Sequence, residues 1–288
     1  MSGISRRDFL TGLTAASVGV LTARYVPAAE TTPKIRKGSD LVALGRTGLK
    51  TTVLGIGTGT NSGKQQRDLG FDGFTKLVRH ALDRGIQYID TADSYKTHPY
   101  VAKALEGVPR DKYFIQSKTF AKQAEAAKAH IERFRQELRV DYIDTLLMHC
   151  MTKRSWPTDM RPVMDAVEEA KRLGHIRAYG VSCHGWDPLV ASVETDWPEV
   201  QLVRINPFGD KMDGPADEVA PLVKKMHAKG RGVIGMKIYG ETGFGGRQQR
   251  LESLKYVFAL GCVDCFTIGF TSIAQLDETM DLIEQALA

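Results

Sequence analysis

An α/β fold whose parallel sheet closes into a (β/α)8 barrel is what this 288-residue chain predicts. Between Thr52 and Leu287, eight short apolar runs alternate with eight longer stretches of helical period. Alternation of that kind means parallel strands joined by crossover helices. No low-complexity linker interrupts the series, and 42% of the residues are apolar, enough for one large core. Pattern alone also admits an open doubly wound sheet, but eight units at this spacing close most simply.

The elements follow in order. Leu41–Lys50 holds Arg46-Thr47-Gly48 between apolar flanks, a hairpin ahead of the first barrel strand, Thr52–Ile56. Phe74, Leu77, Val78, Ala81 and Leu82 then recur as the inward stripe of a helix. Ile86–Asp90 is the second strand and Tyr100–Leu105 a short helix; Tyr113–Ser117 is the third strand, and Gln123–Arg139 shows Ile131, Phe134 and Leu138 on one helical face. Asp144–Met148 precedes a helix over Pro162–Leu173, and Ala178–Val181 precedes one near Pro188–Glu194. Leu202–Ile205 leads to Ala216–Lys229, and Gly232–Met236 to Gln248–Leu260. Asp264–Ile268 closes the series with a helix on Ile273, Leu276, Met280, Ile283 and Leu287.

Charge and composition exclude several classes. The surplus of Lys and Arg over Asp and Glu is 39 − 34 = +5, spread along the chain without the basic face that nucleic-acid binding needs. No apolar stretch is long enough for a stable membrane-spanning helix. Four cysteines are too few for a disulfide framework.

The first residues read as an address. Ser5-Arg6-Arg7-Asp8-Phe9-Leu10, a weakly apolar run from Leu13 to Leu21, and small residues at Val26, Ala28 and Ala29 resemble a twin-arginine export signal. The division expected is signal peptide 1–28, linker 29–40 and barrel 41–288. The resemblance implies the twin-arginine machinery as a partner and the periplasm as destination. Because that route carries folded proteins, it also hints at a cofactor loaded beforehand.

In a barrel, function sits just past the C-terminal ends of the strands. Those ends are Asp90, Lys118, His149, Ser182, Arg204, Lys237 and Gly269. Asp90-Thr91-Ala92-Asp93-Ser94-Tyr95 adds a phenol five residues after the acid. A buried lysine needs a counter-charge, and Asp90 is the one at hand for Lys118. Together with G-I-G-T-G (55–59), L-L-M-H (146–149) and Y-G-V-S (179–182), these segments resemble the aldo-keto reductase family in order and spacing.

The resemblance places a catalytic tetrad on Asp90, Tyr95, Lys118 and His149. Hydride addition to a carbonyl leaves an alkoxide, so a proton must reach the oxygen. A phenol with an ordinary pKa of about 10 delivers it near neutrality only with help from its surroundings. Tyr95 is then the general acid/base, Lys118 its pKa modifier, Asp90 the lysine's partner and His149 the group that orients the carbonyl.

The resemblance further implies NADP or NAD lying across the strand ends, with a small aldehyde or ketone as substrate and no metal. Its contacts are expected from Gly57, Thr58, Asp90, Ser182, Cys183, Arg204, Met236, Lys237, Gly269, Phe270, Thr271 and Gln275. Several depart from family habit: Cys183 stands where Asn is frequent, Arg204 where Gln is, and Met236-Lys237 where a Tyr often stacks. Arg204 and Lys237 are expected to place positive charge beside the nicotinamide and so favour its reduced form. Gln275 stands where NADP-preferring members carry Arg, and the choice of coenzyme stays open.

The last helix ends at Ala288, and the expectation is a pocket without a long C-terminal roof. Two other readings share the sequence. One is a cofactor-bound regulatory or sensor subunit of the same fold with little turnover. The other is a barrel metal hydrolase using His149, Cys150, Cys183 and His184. A Cys150–Cys183 disulfide is conceivable in an oxidising compartment, while Cys262 and Cys265 read as buried structural thiols.

Overall fold

Runs such as Leu146-Leu147-Met148 and Val233-Ile234 are apolar on successive residues, as strands covered on both faces must be. In the computed structural model, which describes residues 35–241 and 246–288, they form a closed parallel barrel. β1 (Leu41–Ala43) and β2 (Lys50–Thr52) make an antiparallel hairpin. The barrel strands are β3 (Leu54–Gly57), β4 (Tyr88–Asp90), β5 (Phe114–Thr119), β6 (Ile143–Met151), β7 (Ile176–Cys183), β8 (Val200–Arg204), β9 (Gly232–Met236) and β10 (Cys265–Gly269), with β10 pairing back onto β3.

Among the described residues, eight helices sheathe the barrel: α2 (Gly70–Asp83), α3 (His98–Ala104), α4 (Ala124–Leu138), α6 (Arg161–Arg172), α7 (Trp186–Glu194), α8 (Ala216–Ala228), α9 (Arg247–Leu260) and α10 (Ile273–Leu287). Two single-turn helices that no periodicity announces, α1 (Lys64–Arg67) and α5 (Trp156–Asp159), lie in loops after strands. Among the described residues, no helix is long and apolar enough to cross a membrane. The expected export segment, 1–28, lies outside the described residues.

Strand boundaries moved where the backbone changes partners. Thr52 ends the hairpin, and the Val53 and Leu54 amides then bond to Asp40 and Gly38, so the first barrel strand starts at Leu54. β6 runs on to Met151 through a register shift against β7, with Cys150 left-handed at φ 61°. A bulge bends its strand and re-aims the side chains around it. This one follows His149 directly.

Inside the barrel the layers are stacked by polarity. Leu44 and Leu49 of the hairpin loop plug the N-terminal end, packing with Phe114, Leu147, Val200, Leu202, Ile234 and Cys265. Tyr88 fills the centre across Gly55, where a Cβ would lie 2.1 Å from its ring. That close approach requires the first glycine of the G-I-G-T-G segment. Above this apolar layer come Gln116 and Thr145, and above them Asp90, Lys118 and His149, all buried.

Candidate active site

Successive strands deliver the polar side chains to one end. Alternation along β5 turns Phe114, Gln116 and Lys118 inward, and β4 ends with Asp90 beside them. Tyr95 arrives on a short 3-10 turn, Asp93–Tyr95, that follows β4. The Tyr95 carbonyl is held by the Arg67 guanidinium of α1.

The four tetrad residues converge. Lys118 Nζ donates to Asp90 Oδ1 at 2.6 Å, to the Thr91 carbonyl at 2.9 Å and to the Tyr95 hydroxyl at 3.5 Å. The Tyr95 ring meets the His149 ring edge-on, centroids 5.6 Å apart. Phe120 stacks on the face of His149 at 4.3 Å, and His184 approaches its edge at 6.5 Å. Ring packing holds this imidazole, since its buried Nδ1 has no hydrogen-bond partner. A bare buried N–H costs more than a bare lone pair. The proton therefore belongs on Nε2.

Electrostatics follow from burial. Burial works against the Lys118 ammonium, but Asp90 and then Tyr95 outweigh it and raise its pKa above that of free lysine. Burial raises the Tyr95 phenol above its ordinary value; the Lys118 ammonium opposes this and Asp90 adds to it. Burial, reinforced by Lys118 and His184, lowers the His149 imidazole to about 2. At neutral pH the end of the barrel thus presents a protonated phenol, an ammonium–carboxylate pair and a neutral imidazole.

Beside Tyr95 opens a cleft of about 370 Å³. Asp90, Gly57, Met236, Lys237, Gly269, Phe270, Thr271 and Gln275 line it, as expected for the cofactor side. It ends at the N-terminus of α10, capped by Ser272, whose Oγ accepts from the Gln275 amide. The Gln275 side chain in turn accepts from the Thr271 amide at 2.9 Å. Helix N-termini favour phosphate. The buried Thr267 hydroxyl lines the same cleft without a partner, an orphan that a bound polar molecule would satisfy. A dinucleotide fits these residues.

Four of the expected residues do not line this cleft. Thr58 is buried and bonds Thr97 Oγ1 at 2.8 Å. Ser182 Oγ accepts from the Cys150 amide at 2.8 Å, so it braces the bulge. Cys183 is one step further along β7 and packs outward, its thiol against the Pro188 carbonyl at 3.3 Å. Strand alternation is the reason: Ser182 and Cys183 cannot both face the mouth. Arg204 pairs with buried Asp213, Nε to Oδ1 3.1 Å, and Lys237 pairs with Glu241. Each cation carries its own carboxylate, so the expected bare positive charge beside a nicotinamide is largely cancelled.

All four cysteines are free thiols, and no disulfide joins Cys150 to Cys183. Among the described residues, no three His, Cys, Asp or Glu side chains are gathered to hold a metal. The hydrolase ligand set is therefore not assembled. Sequence reasoning missed Gly59, Gln116, Arg250 and Glu278. Gly59 passes so close to Tyr95 that a Cβ would lie 2.5 Å from its ring. Arg250 and Glu278 line the far end of the cleft as an ion pair at 3.0 Å between α9 and α10. On the sequence each is one charge among many on a helix face.

Comparison with known proteins decides the family. The aldo/keto reductase family model matches residues 53–257. The chain belongs to the aldo/keto reductase family. An aldo-keto reductase of Mycolicibacterium paratuberculosis is 30% identical over 172 residues, covering 55% of this chain and 54% of that protein. The match thus spans about half the length of that curated relative. An aldo-keto reductase structure from Pseudomonas aeruginosa superposes with a TM-score of 0.72 at 23% identity, covering 88% of this chain and 98% of that one. A Bombyx mori aldo-keto reductase in complex with NADP gives 0.66 at 20% identity over 85% and 92% of the two chains. The shared architecture is the eight-stranded parallel barrel described above.

Proposed function

We propose that this chain is an NAD(P)H-dependent carbonyl reductase in which Tyr95 is the general acid/base. The observation that carries the reading is the Lys118 ammonium bridging Asp90 and the Tyr95 hydroxyl at the edge of a cleft that a dinucleotide fits. The NADP complex of the Bombyx mori neighbour supports the cofactor class. Reduced nicotinamide, when bound, supplies the hydride.

This chain's residues do the rest. The Nε2–H of neutral His149 donates to the substrate oxygen and fixes its direction. Charge then grows on that oxygen, and Tyr95 transfers its hydroxyl proton to it. The phenolate left behind is stabilised by Lys118, and Asp90 keeps the ammonium charged and in place. Reversal gives alcohol oxidation with phenolate as base. In the cleft, the unpartnered Thr267 hydroxyl and the start of α10 would hold the nucleotide, with Met236 and Phe270 among the other lining residues.

The twin-arginine-like segment at Ser5–Leu10 supports export of the folded, loaded protein to the periplasm, with removal of residues 1–28. The decisive experiment is NADPH and NADH oxidation against a panel of aldehydes and ketones. Tyr95→Phe is expected to lower kcat by at least about 100-fold while nucleotide affinity is retained. Nucleotide binding without turnover in the unaltered protein would favour a sensor subunit instead.

A further inference from the structure

Gln116 sits one inward step below Lys118 on β5, fully buried in the barrel interior. An amide there is costly unless each polar group is bonded, and both ends of this one are. Its Nε2 donates to Asp90 Oδ1 at 2.7 Å and to the Tyr88 hydroxyl at 2.9 Å, while Oε1 accepts from Thr145 Oγ1 at 3.0 Å. Strand register places the amide between its partners, since Gln116 faces Asp90 across one ladder and Thr145 across the other. The Asp90 oxygen it reaches is the one that also accepts Lys118 Nζ at 2.6 Å.

We propose that Gln116 is a positioning residue for proton transfer: it clamps the Asp90 carboxylate and offsets part of its negative charge, leaving more of the Lys118 field to act on Tyr95. The inference rests on Tyr95 as the acid/base. The titratable and charged groups around that phenol are Asp90 and Tyr88 on β4, Lys118 on β5, His149 and Cys150 on β6, and Arg67 of α1 at its carbonyl; Lys237 and Glu241 share its cleft. Of these, Asp90 opposes phenolate formation and Lys118 promotes it. Gln116 is a neutral donor aimed at the opposing group.

Removing that donor leaves Asp90 less compensated, so phenolate forms at higher pH. Alcohol oxidation, which needs phenolate, then falls, whereas the alkaline limb of carbonyl reduction moves upward. Gln116→Met keeps the volume without the hydrogen bonds. Its pH midpoint for alcohol oxidation should rise by about half a unit, roughly a threefold loss of rate below the midpoint, with nucleotide affinity unchanged. Thr145→Val, which only frees the amide to turn, should shift it less in the same direction. Tyr88→Phe disturbs the same interior but spares the bond to Asp90, and its midpoint should stay put.

The Tyr95 phenolate absorbance, taken as the difference from the matching Tyr95→Phe protein, reads the same shift without turnover. An unchanged midpoint in both Gln116→Met and Thr145→Val, or an equal shift in Tyr88→Phe, overturns the proposal. Absence of nicotinamide-linked turnover in the unaltered protein overturns the reductase reading instead, and the absorbance titration then decides only whether Gln116 tunes the Tyr95 phenol.

Discussion

Acid should unfold this protein through His149, and the size of the effect can be worked out. The imidazole is buried beside the Lys118 ammonium, and its pKa is lowered from 6.5 to about 2. In the unfolded chain it takes a proton near 6.5, so there the unfolded state binds more protons than the folded state. Stability from this residue is full above pH 6.5 and is lost as pH falls below it. At pH 4.5, about two units lower, the loss is about 2.7 kcal/mol at 1.36 kcal/mol per unit. His149→Asn removes the titrating group. Urea unfolding of both proteins at pH 7.5 and 4.5 isolates the contribution, because carboxylates and the other histidines, including buried His98, act in both. The unaltered protein should lose about 2.7 kcal/mol more than the variant over that interval. Equal losses would show that the imidazole is solvated and titrates as it does in the unfolded chain, and the assignment of a buried, neutral Nε2 donor would fall with it.

Three more perturbations bear on the site. Lys118→Met strands a buried carboxylate and should destabilise by about 3–5 kcal/mol, with partial recovery when Asp90→Asn is added; thermal melts of the single and double variants check this. Gly59→Ala would put a methyl 2.5 Å from the Tyr95 ring and 2.9 Å from its hydroxyl. At least about a tenfold fall in kcat with a stability cost of about 1–3 kcal/mol is expected, measured by steady-state kinetics and denaturation. Phe120→Ala removes the face that stacks on His149, and kcat should drop about three- to tenfold with nucleotide affinity intact, in contrast to Phe120→Tyr, which keeps the ring.

The barrel was legible because its signal is periodic. Each strand buried on both faces shows as an apolar run and each covering helix as a stripe, so Leu146–Met148 and the Phe74–Ala81 stripe announce themselves. Boundaries were less legible where hydrogen bonds rather than side chains decide them, as at Val53 and at the Cys150 bulge. That Asp90, Tyr95, Lys118 and His149 would converge could be read because strand ends must meet in a closed barrel; the roles expected of them came from the family resemblance. Cys183 could not be placed by counting residues, since one step of alternation separates the mouth from the outer layer. The Arg204–Asp213 and Lys237–Glu241 pairs were invisible for another reason. Each joins a strand end to a loop residue, and only the folded loop shows that the charge is already met. Gln116 belongs to the same class: one polar residue in an apolar run, whose partners lie on two other strands.

The central claim is that hydride passes to a carbonyl at Tyr95 beside a nucleotide in this cleft. Single-turnover reaction with nicotinamide deuterated at the transferring carbon tests it most directly, with the product alcohol read by mass spectrometry. One deuterium on the carbinol carbon is expected from the unaltered protein and almost none, at equal nucleotide occupancy, from Tyr95→Phe. Deuterium transfer at the same rate in both proteins, or none in either, would contradict it.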